Sequence, residues 1–189
     1  MLAYKCLGDG GRSTVSGFRW PLPERGRPGT WVEVERDLVL CRNGVHACTV
    51  RQLPHWLGKE LWVVELGGQV VDVDGIFVSS RARLVRAIAA WSADARTDFA
   101  RTCVTRVQEA APHGQYTGEL EDMNGFAQSA DAVAAGYVAA VVRGKAAAGG
   151  LSDGVEFDRG YLDERAAQSQ WLAEHLGLVD DRQGPDSGT

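Results

Sequence analysis

The chain has 189 residues, of which 44% are hydrophobic and 24% charged, and its formal net charge is −5. This balance is typical of a globular protein, and no window approaches the roughly 18 unbroken apolar residues of a membrane helix. The basic residues are scattered rather than clustered, so duplex nucleic acid is not an expected partner, although a small anionic ligand is compatible. Charge and glycine come too early for a secretory signal, so we expect a cytoplasmic protein with four free thiols.

The first part of the chain, residues 1–80, is predicted to form a β-rich ligand-binding domain. The segment "LAYKCL" predicts a first strand, "ELWVVEL" a buried strand, and "GGQVVDVDG" an alternating strand that ends at a glycine. Asn43-Gly44 is a strong signal for a type I′ hairpin, which would place Cys41 and "VHAC" on partner strands. The segment "TVRQLPHWLG" predicts one or two helical turns.

The remainder, residues 81–178, is predicted to be a C-terminal annex of three helices, followed by a disordered tail over 179–189. The first helix is expected to run from an N-cap at Ser80 to about residue 110, because apolar residues recur every three or four positions. The second covers 126–148, and the third ends at Gly177. The segment "APHGQYTGELEDMNG" is predicted to be a loop. The fold class is therefore α+β, with a small, antiparallel-rich split sheet before the helices.

The segment "CRNGVHACTV" and the nearby His55 could supply the thiolates and imidazoles that zinc prefers. A Cys-x-Cys pair is not the usual zinc knuckle, because alternate residues of one strand hold their sulfur atoms poorly for chelation. We therefore expect Cys41 and Cys48 to be apolar thiols, with no bound metal.

His46 is open to two interpretations. It could be a core histidine whose ring nitrogens bond to backbone carbonyls, or it could line a pocket and polarise a ligand. Asp72 and Asp74 alternate along a predicted strand and would point to one face. They could be solvated residues, or they could supply carboxylates to a cleft beside His46.

The segment "GDGGRST", which contains Arg12, is a glycine-rich turn after a strand and could hold a phosphate through backbone N–H groups. It lacks the spacing of a P-loop and of the dinucleotide-binding fingerprint, so neither motif is predicted.

The order of "AYKCL", "GVHACT", "LPHWLG", "LWVVELGG", "VVDVDG" and "SSRARLV" resembles that of small ADP-ribosyltransferases of the rifamycin-inactivating kind. The resemblance covers residues 3–85 and implies an ADP-ribosyltransferase-like split sheet and NAD as substrate. It places Lys5 at the family's ribose-binding histidine, His46 at its nicotinamide-stacking tyrosine, and Asp72 or Asp74 at its acidic residue. Lys5 or Arg12 would bind ribose or phosphate, and the carboxylate would stabilise an oxocarbenium-like centre.

The wording of "NGVHAC" is also similar to a small N-terminal domain of phage and actinobacterial proteins, which implies no activity. Two functions are therefore expected as alternatives. One is an NAD-dependent ADP-ribosyltransferase or NAD-hydrolysing enzyme with a cleft near His46. The other is a non-catalytic protein-interaction module whose helices present aromatic residues to a partner or to a second copy of the chain, namely Trp91, Phe99, Tyr137 and Trp171.

Overall fold

The computed structural model describes residues 1–35, 37–111 and 114–179. The expected tail, 179–189, lies outside these residues except for Val179. The chain divides into two compact units, one formed by residues 1–89 and the segment from Leu176, the other by Ala90–His175. The fold is α+β, with an antiparallel sheet in the first unit and four α-helices. No helix in the described ranges combines the length and hydropathy needed to cross a bilayer.

The first unit contains five strands and one short 3₁₀ helix. The strands are β1 (Leu2–Leu7), β2 (Val32–Glu33), β3 (Val45–Cys48), β4 (Glu60–Val73) and β5 (Ile76–Ala87). The 3₁₀ helix covers Val50–His55, within the segment where helical turns were expected. Because β5 pairs with both β3 and β4, and β1 joins those two strands, the sheet closes into a small barrel, with β2 added at one edge of β5.

The barrel encloses an apolar core. Alternate residues point to opposite faces of a strand, so Ala3 and Leu7 of β1 point inward, as do Val45 and Ala47 of β3. The other interior side chains are Trp20, Trp62, Val64, Leu66, Phe77, Ala82 and Leu84. His46 and Cys48 therefore lie on the opposite face of β3, as the alternation predicts.

Two features of this unit differ from the sequence-based expectation. The prediction of a hairpin at Asn43-Gly44 is wrong. The turn is centred on Cys41, which has a φ of 59°, and it connects Val39 to Asn43 through a β-bridge. Pairing of β3 with β1 and β5 determines its position instead. The main hairpin is at Asp74-Gly75, where φ is 51° and 83°, as a type I′ turn requires.

The predicted helix from Ser80 is also wrong over its first third. Residues up to Ala87 belong to β5, where outward Arg81 and Arg83 alternate with inward Ala82 and Leu84. This two-residue period is the strand signal that the four-residue spacing of Leu84 and Ile88 obscured.

The second unit contains four helices rather than three. They are α1 (Ala93–Ala110), α2 (Thr117–Gln128), α3 (Ala132–Ala147) and α4 (Val155–Leu176). The additional helix, α2, lies mostly in the predicted loop and ends within the predicted second helix. Only Met123 and Ala127 of its residues are buried, so its apolar pattern is short. The Gly177 stop is confirmed by a φ of 61° directly after α4.

Candidate functional site

Lys5 shares the inward side of β1 with Ala3 and Leu7, an unusual position for a cation. Its Nζ donates to the His46 carbonyl oxygen at 2.7 Å and lies 5.2 Å from the centroid of the Trp20 ring. Burial lowers the pKa of Lys5 to about 8, against a weaker raising effect of the Cys48 and Cys6 thiols. The structure therefore brings Lys5 and His46 together, through the backbone of His46 rather than through its ring.

The His46 imidazole bonds to the loop before it. Its Nε2 accepts from the Cys41 backbone N–H at 2.8 Å, so this nitrogen carries no proton. Burial lowers the pKa of His46, the Lys5 charge acts in the same direction, and hydrogen bonding to the Gly44 backbone opposes them. The half-buried ring is thus neutral near pH 7 and holds the turn around Cys41.

Asp72 and Asp74 lie at the tip of the β4–β5 hairpin. Register places His46 opposite Val78, whereas Asp72 is opposite Phe77, a core residue on the other face of the sheet. The Asp72 carboxylate accepts from the Gly75 N–H at 2.9 Å, and Asp74 forms an exposed ion pair with Arg51. The sheet does not bring either carboxylate to the face that carries the His46 ring.

The "GDGG" turn does hold an anion through backbone N–H groups, but that anion is a side chain of the protein. The Glu60 carboxylate accepts from Gly10 N–H at 2.7 Å and from Gly11 N–H at 3.1 Å. It also accepts from the Trp62 indole at 2.9 Å. Arg12 is exposed, and its carbonyl closes the turn by accepting from the Gly8 N–H. The predicted phosphate loop is therefore filled by Glu60.

The four candidate zinc ligands do not form a cluster. Within residues 1–35, 37–111 and 114–179, no group of three or more histidine, cysteine and carboxylate side chains is arranged to hold a metal ion. Cys41 is exposed on its turn, whereas Cys48 is buried.

The outer face of the barrel carries a cavity that sequence reasoning missed. Its volume is about 340 Å³, at the lower end of the usual range for ligand pockets. The sheet register aligns four of its lining residues in one row across the strands: Cys48 of β3, Tyr4 of β1, Val63 of β4 and Arg86 of β5. The remaining lining residues are Met1, Leu2, Ala3, Thr49, Phe77 and Val179.

A β-bulge directs Arg86 to this row. Val64 pairs with Leu84, but Val63 pairs with Arg86, so Val85 is an extra residue in β5. In an unbroken strand Arg86 would point inward with Leu84, because both have the same parity. The bulge moves Arg86 to the outer face, a device common next to functional sites. Periodicity alone does not reveal such an insertion.

Some polar groups at the cavity have hydrogen-bond partners, and others have none among the described residues. The Tyr4 hydroxyl donates to the Val179 carbonyl at 2.7 Å and accepts from the Val179 N–H at 3.0 Å, which ties the segment after α4 to the barrel. The buried Thr49 hydroxyl oxygen has no hydrogen-bond partner among the described residues. Arg86 is exposed and forms no ion pair with any residue that the structure describes.

Comparison with protein-family models, with curated proteins and with solved structures finds no match for this chain.

Proposed function

We propose that the barrel unit binds a small organic anion of the nucleotide class in the cavity beside Tyr4 and Arg86. The observation that carries the proposal is the bulge at Val85, which places at the cavity a guanidinium that forms no ion pair with the described residues. Arginine is the residue best suited to phosphate and carboxylate groups, because its planar fork donates two parallel hydrogen bonds.

The composition of the cavity supports a ligand with both an anionic and an apolar part. Arg86 is the charged side chain among its lining residues, and no acidic side chain of the described chain lines it. Tyr4 offers aromatic surface, and Thr49, whose buried hydroxyl oxygen has no hydrogen-bond partner among the described residues, also lines the cavity. A cavity of about 340 Å³ suits one nucleoside and its phosphate better than a whole dinucleotide.

NAD is the first ligand to test, because the sequence resemblance to ADP-ribosyltransferases implies it. In this proposal the adenylate or nicotinamide-ribose half of NAD would enter the cavity. Transfer or hydrolysis with His46, Asp72 and Asp74 remains a separate prediction, since these residues lie outside the cavity lining.

The binding proposal is tested by melting the protein with NAD, ADP-ribose, AMP or nicotinamide. A ligand at about one hundred times its Kd adds roughly 2.7 kcal/mol to the free energy of unfolding, which gives a measurable rise in Tm. We expect a rise with at least one phosphate-bearing compound, and loss of that rise in Arg86→Gln. Arg42→Gln is the control, because Arg42 is an exposed arginine of the same unit outside the cavity.

The proposal fails if none of these compounds raises the Tm, or if Arg86→Gln responds as Arg42→Gln does. Catalysis is judged independently by nicotinamide release from NAD, in the wild type and in His46→Ala. Absence of release by the wild type would end the enzymatic prediction, while the melting series still decides whether the cavity binds a ligand.

The alternative, a homodimeric interaction module, also remains a proposal. Trp91 and Phe99, two of its four expected contact residues, are buried within the helical unit, where their rings pack edge to face at 5.9 Å. Tyr137 is 57% exposed and remains available to a partner. A sizing column with light scattering tests this alternative, and a monomeric mass at high concentration would exclude it.

A further inference from the structure

The helical unit contains a polar cluster in which one carboxylate is surrounded by arginines. Glu164 of α4 is completely buried. Arg106 of α1 donates from Nε to the Glu164 Oε2 at 2.9 Å, and the Nε of Arg143 on α3 lies 3.7 Å from the same oxygen. Two guanidinium groups from different helices are therefore held at a single oxygen atom.

The carboxylate between them is fixed in position. Glu164 Oε1 accepts from the Gln168 amide at 3.1 Å, and the same amide donates to the Gly136 carbonyl at 2.9 Å. Arg165, which is buried, donates to Gln168 Oε1 at 3.0 Å and also to the Tyr161 hydroxyl. The cluster thus contains three arginines for one glutamate, so it carries an excess of positive charge.

Arg106 and Arg143 are partly exposed and have terminal Nη groups without partners among the described residues. The side chains of Arg106 and Arg143 are 33% and 30% exposed. Their contacts in the described ranges are made through Nε, and their Nη groups form no hydrogen bond or ion pair there. The buried Arg143 Nε has no hydrogen-bond partner among the residues that the structure describes. This nitrogen faces Glu164, so the groups that remain available to a ligand at the surface are the Nη groups of the two side chains.

From this arrangement we infer that Arg106 and Arg143 form a binding site for an oxyanion of the phosphate class, distinct from the cavity of the barrel unit. Glu164 holds both guanidinium groups at one oxygen atom, and both side chains are partly exposed, so the two groups are close enough to bind one ligand together. Paired guanidinium forks match the several acceptor oxygens of a phosphate, and the surplus positive charge favours a dianion. Arg143 forms an ion pair with Glu164, and its Nη groups would donate to the ligand.

The site is tested by calorimetric titration of the full chain with inorganic phosphate and with phenyl phosphate, at constant ionic strength in chloride. The informative variants are Arg106→Lys and Arg143→Lys, which keep the charge beside Glu164 but remove the fork. The control is Arg101→Lys, an exposed position on α1 whose arginine pairs with Asp98. We expect binding about tenfold weaker in each of the two variants, as for loss of one charge-assisted hydrogen bond, and unchanged binding in the control.

Circular dichroism melting shows whether each lysine variant is folded under the titration conditions. Binding of inorganic phosphate alone would support a site for the free ion, and binding of phenyl phosphate would support a site for a phosphate monoester. The inference is overturned if the wild type binds neither compound at millimolar concentration, or if the two lysine variants bind as tightly as Arg101→Lys. Binding lost equally in Arg86→Gln would also overturn it, since that residue belongs to the cavity.

Discussion

In the barrel unit, polar side chains taken from water bond mainly to the backbone, whereas in the helical unit they bond mainly to one another. Lys5 donates to a carbonyl, His46 accepts from an amide, and Glu60 accepts from two. In the helical unit, Glu164 bonds to Arg106 and Gln168. The difference follows from the backbone. Helices satisfy their own N–H and C=O groups internally, whereas turns and short strands leave such groups free.

This difference indicates where each unit has charged groups that its own fold does not fully use. A side chain bonded to the backbone helps to hold one segment of the chain in place: Lys5 bonds to β3, and Glu60 bonds to the "GDGG" turn. A network of side chains can carry a net charge, as the cluster around Glu164 does, because it contains more arginines than carboxylates. In the barrel unit, the β-bulge at Val85 instead turns the Arg86 side chain to the outer face of the sheet.

The largest expected effect is that of Glu164→Ala. This change leaves two guanidinium groups without their shared carboxylate and removes an acceptor of Gln168. We expect a loss of about 3 kcal/mol in the free energy of unfolding, near the low end for breaking a buried ion pair, because both arginines reach water. Chemical denaturation measures it. The control is Glu174→Ala, an exposed position on α4, expected to change stability by less than about 0.5 kcal/mol. Equal effects at the two positions would contradict the account.

The backbone-bonded counterpart is Glu60→Ala. It leaves the amides of Gly10 and Gly11 and the Trp62 indole without their acceptor, although part of this site can be rehydrated. We expect a loss of about 2 kcal/mol in denaturant unfolding, from loss of charge-assisted hydrogen bonds. The exposed Glu35→Ala is the control. A loss no greater than that of the control would show that Glu60 does not organise the "GDGG" turn.

A smaller effect tests where helices α1 and α3 begin. Ser92 caps α1 by accepting from the Ala95 N–H at 3.2 Å, and Asp131 caps α3 by accepting from the Ala134 N–H at 3.1 Å. Replacing either by Ala should cost about 1 kcal/mol of stability, the usual value for an N-cap. Ser152→Ala, at an exposed position, is the control in the same thermal melts. Unchanged Tm values in both cap variants would place the helix starts elsewhere.

The last expected effect is a pH dependence from Lys5. Its pKa falls from 10.5 to about 8 on folding, so the unfolded chain binds more protons across this interval, and stability gains with rising pH there. Relative to Lys5→Met, the wild type should therefore become more stable between pH 8 and pH 9. Above this window Cys6, whose pKa burial raises from 9.0 to about 12, acts in the opposite direction. Parallel stability curves for the two proteins from pH 7 to pH 9 would rule out a depressed pKa for Lys5.

Local patterns predict the elements whose burial is one-sided and regular. The strand at Leu2–Leu7, the alternation of "VHAC" and the stop at Gly177 follow directly from sequence. The alternation of Arg81 with Ala82 also predicts a strand, but the four-residue spacing beyond it favours a helix, and only pairing with β4 resolves the conflict.

The candidate sites depend on features without a local signal. Arg86 faces outward because Val85 is inserted, and a bulge is defined only against the partner strand. Glu60 fills the "GDGG" turn from 50 residues away. Arg106, Arg143 and Glu164 meet only when three helices pack, and each reads in sequence as an ordinary charged position.

We propose the row across Cys48, Tyr4, Val63 and Arg86 as the ligand-binding face of the barrel unit. Nuclear magnetic resonance tests it most directly, by titrating the ¹⁵N-labelled full chain with ADP-ribose and with NAD. The account predicts that the amide signals of this row and of Thr49 shift in the wild type and that the shifts are lost in Arg86→Gln. Shifts confined to residues around His46, Asp72 and Asp74, or no shifts with either compound, would contradict it.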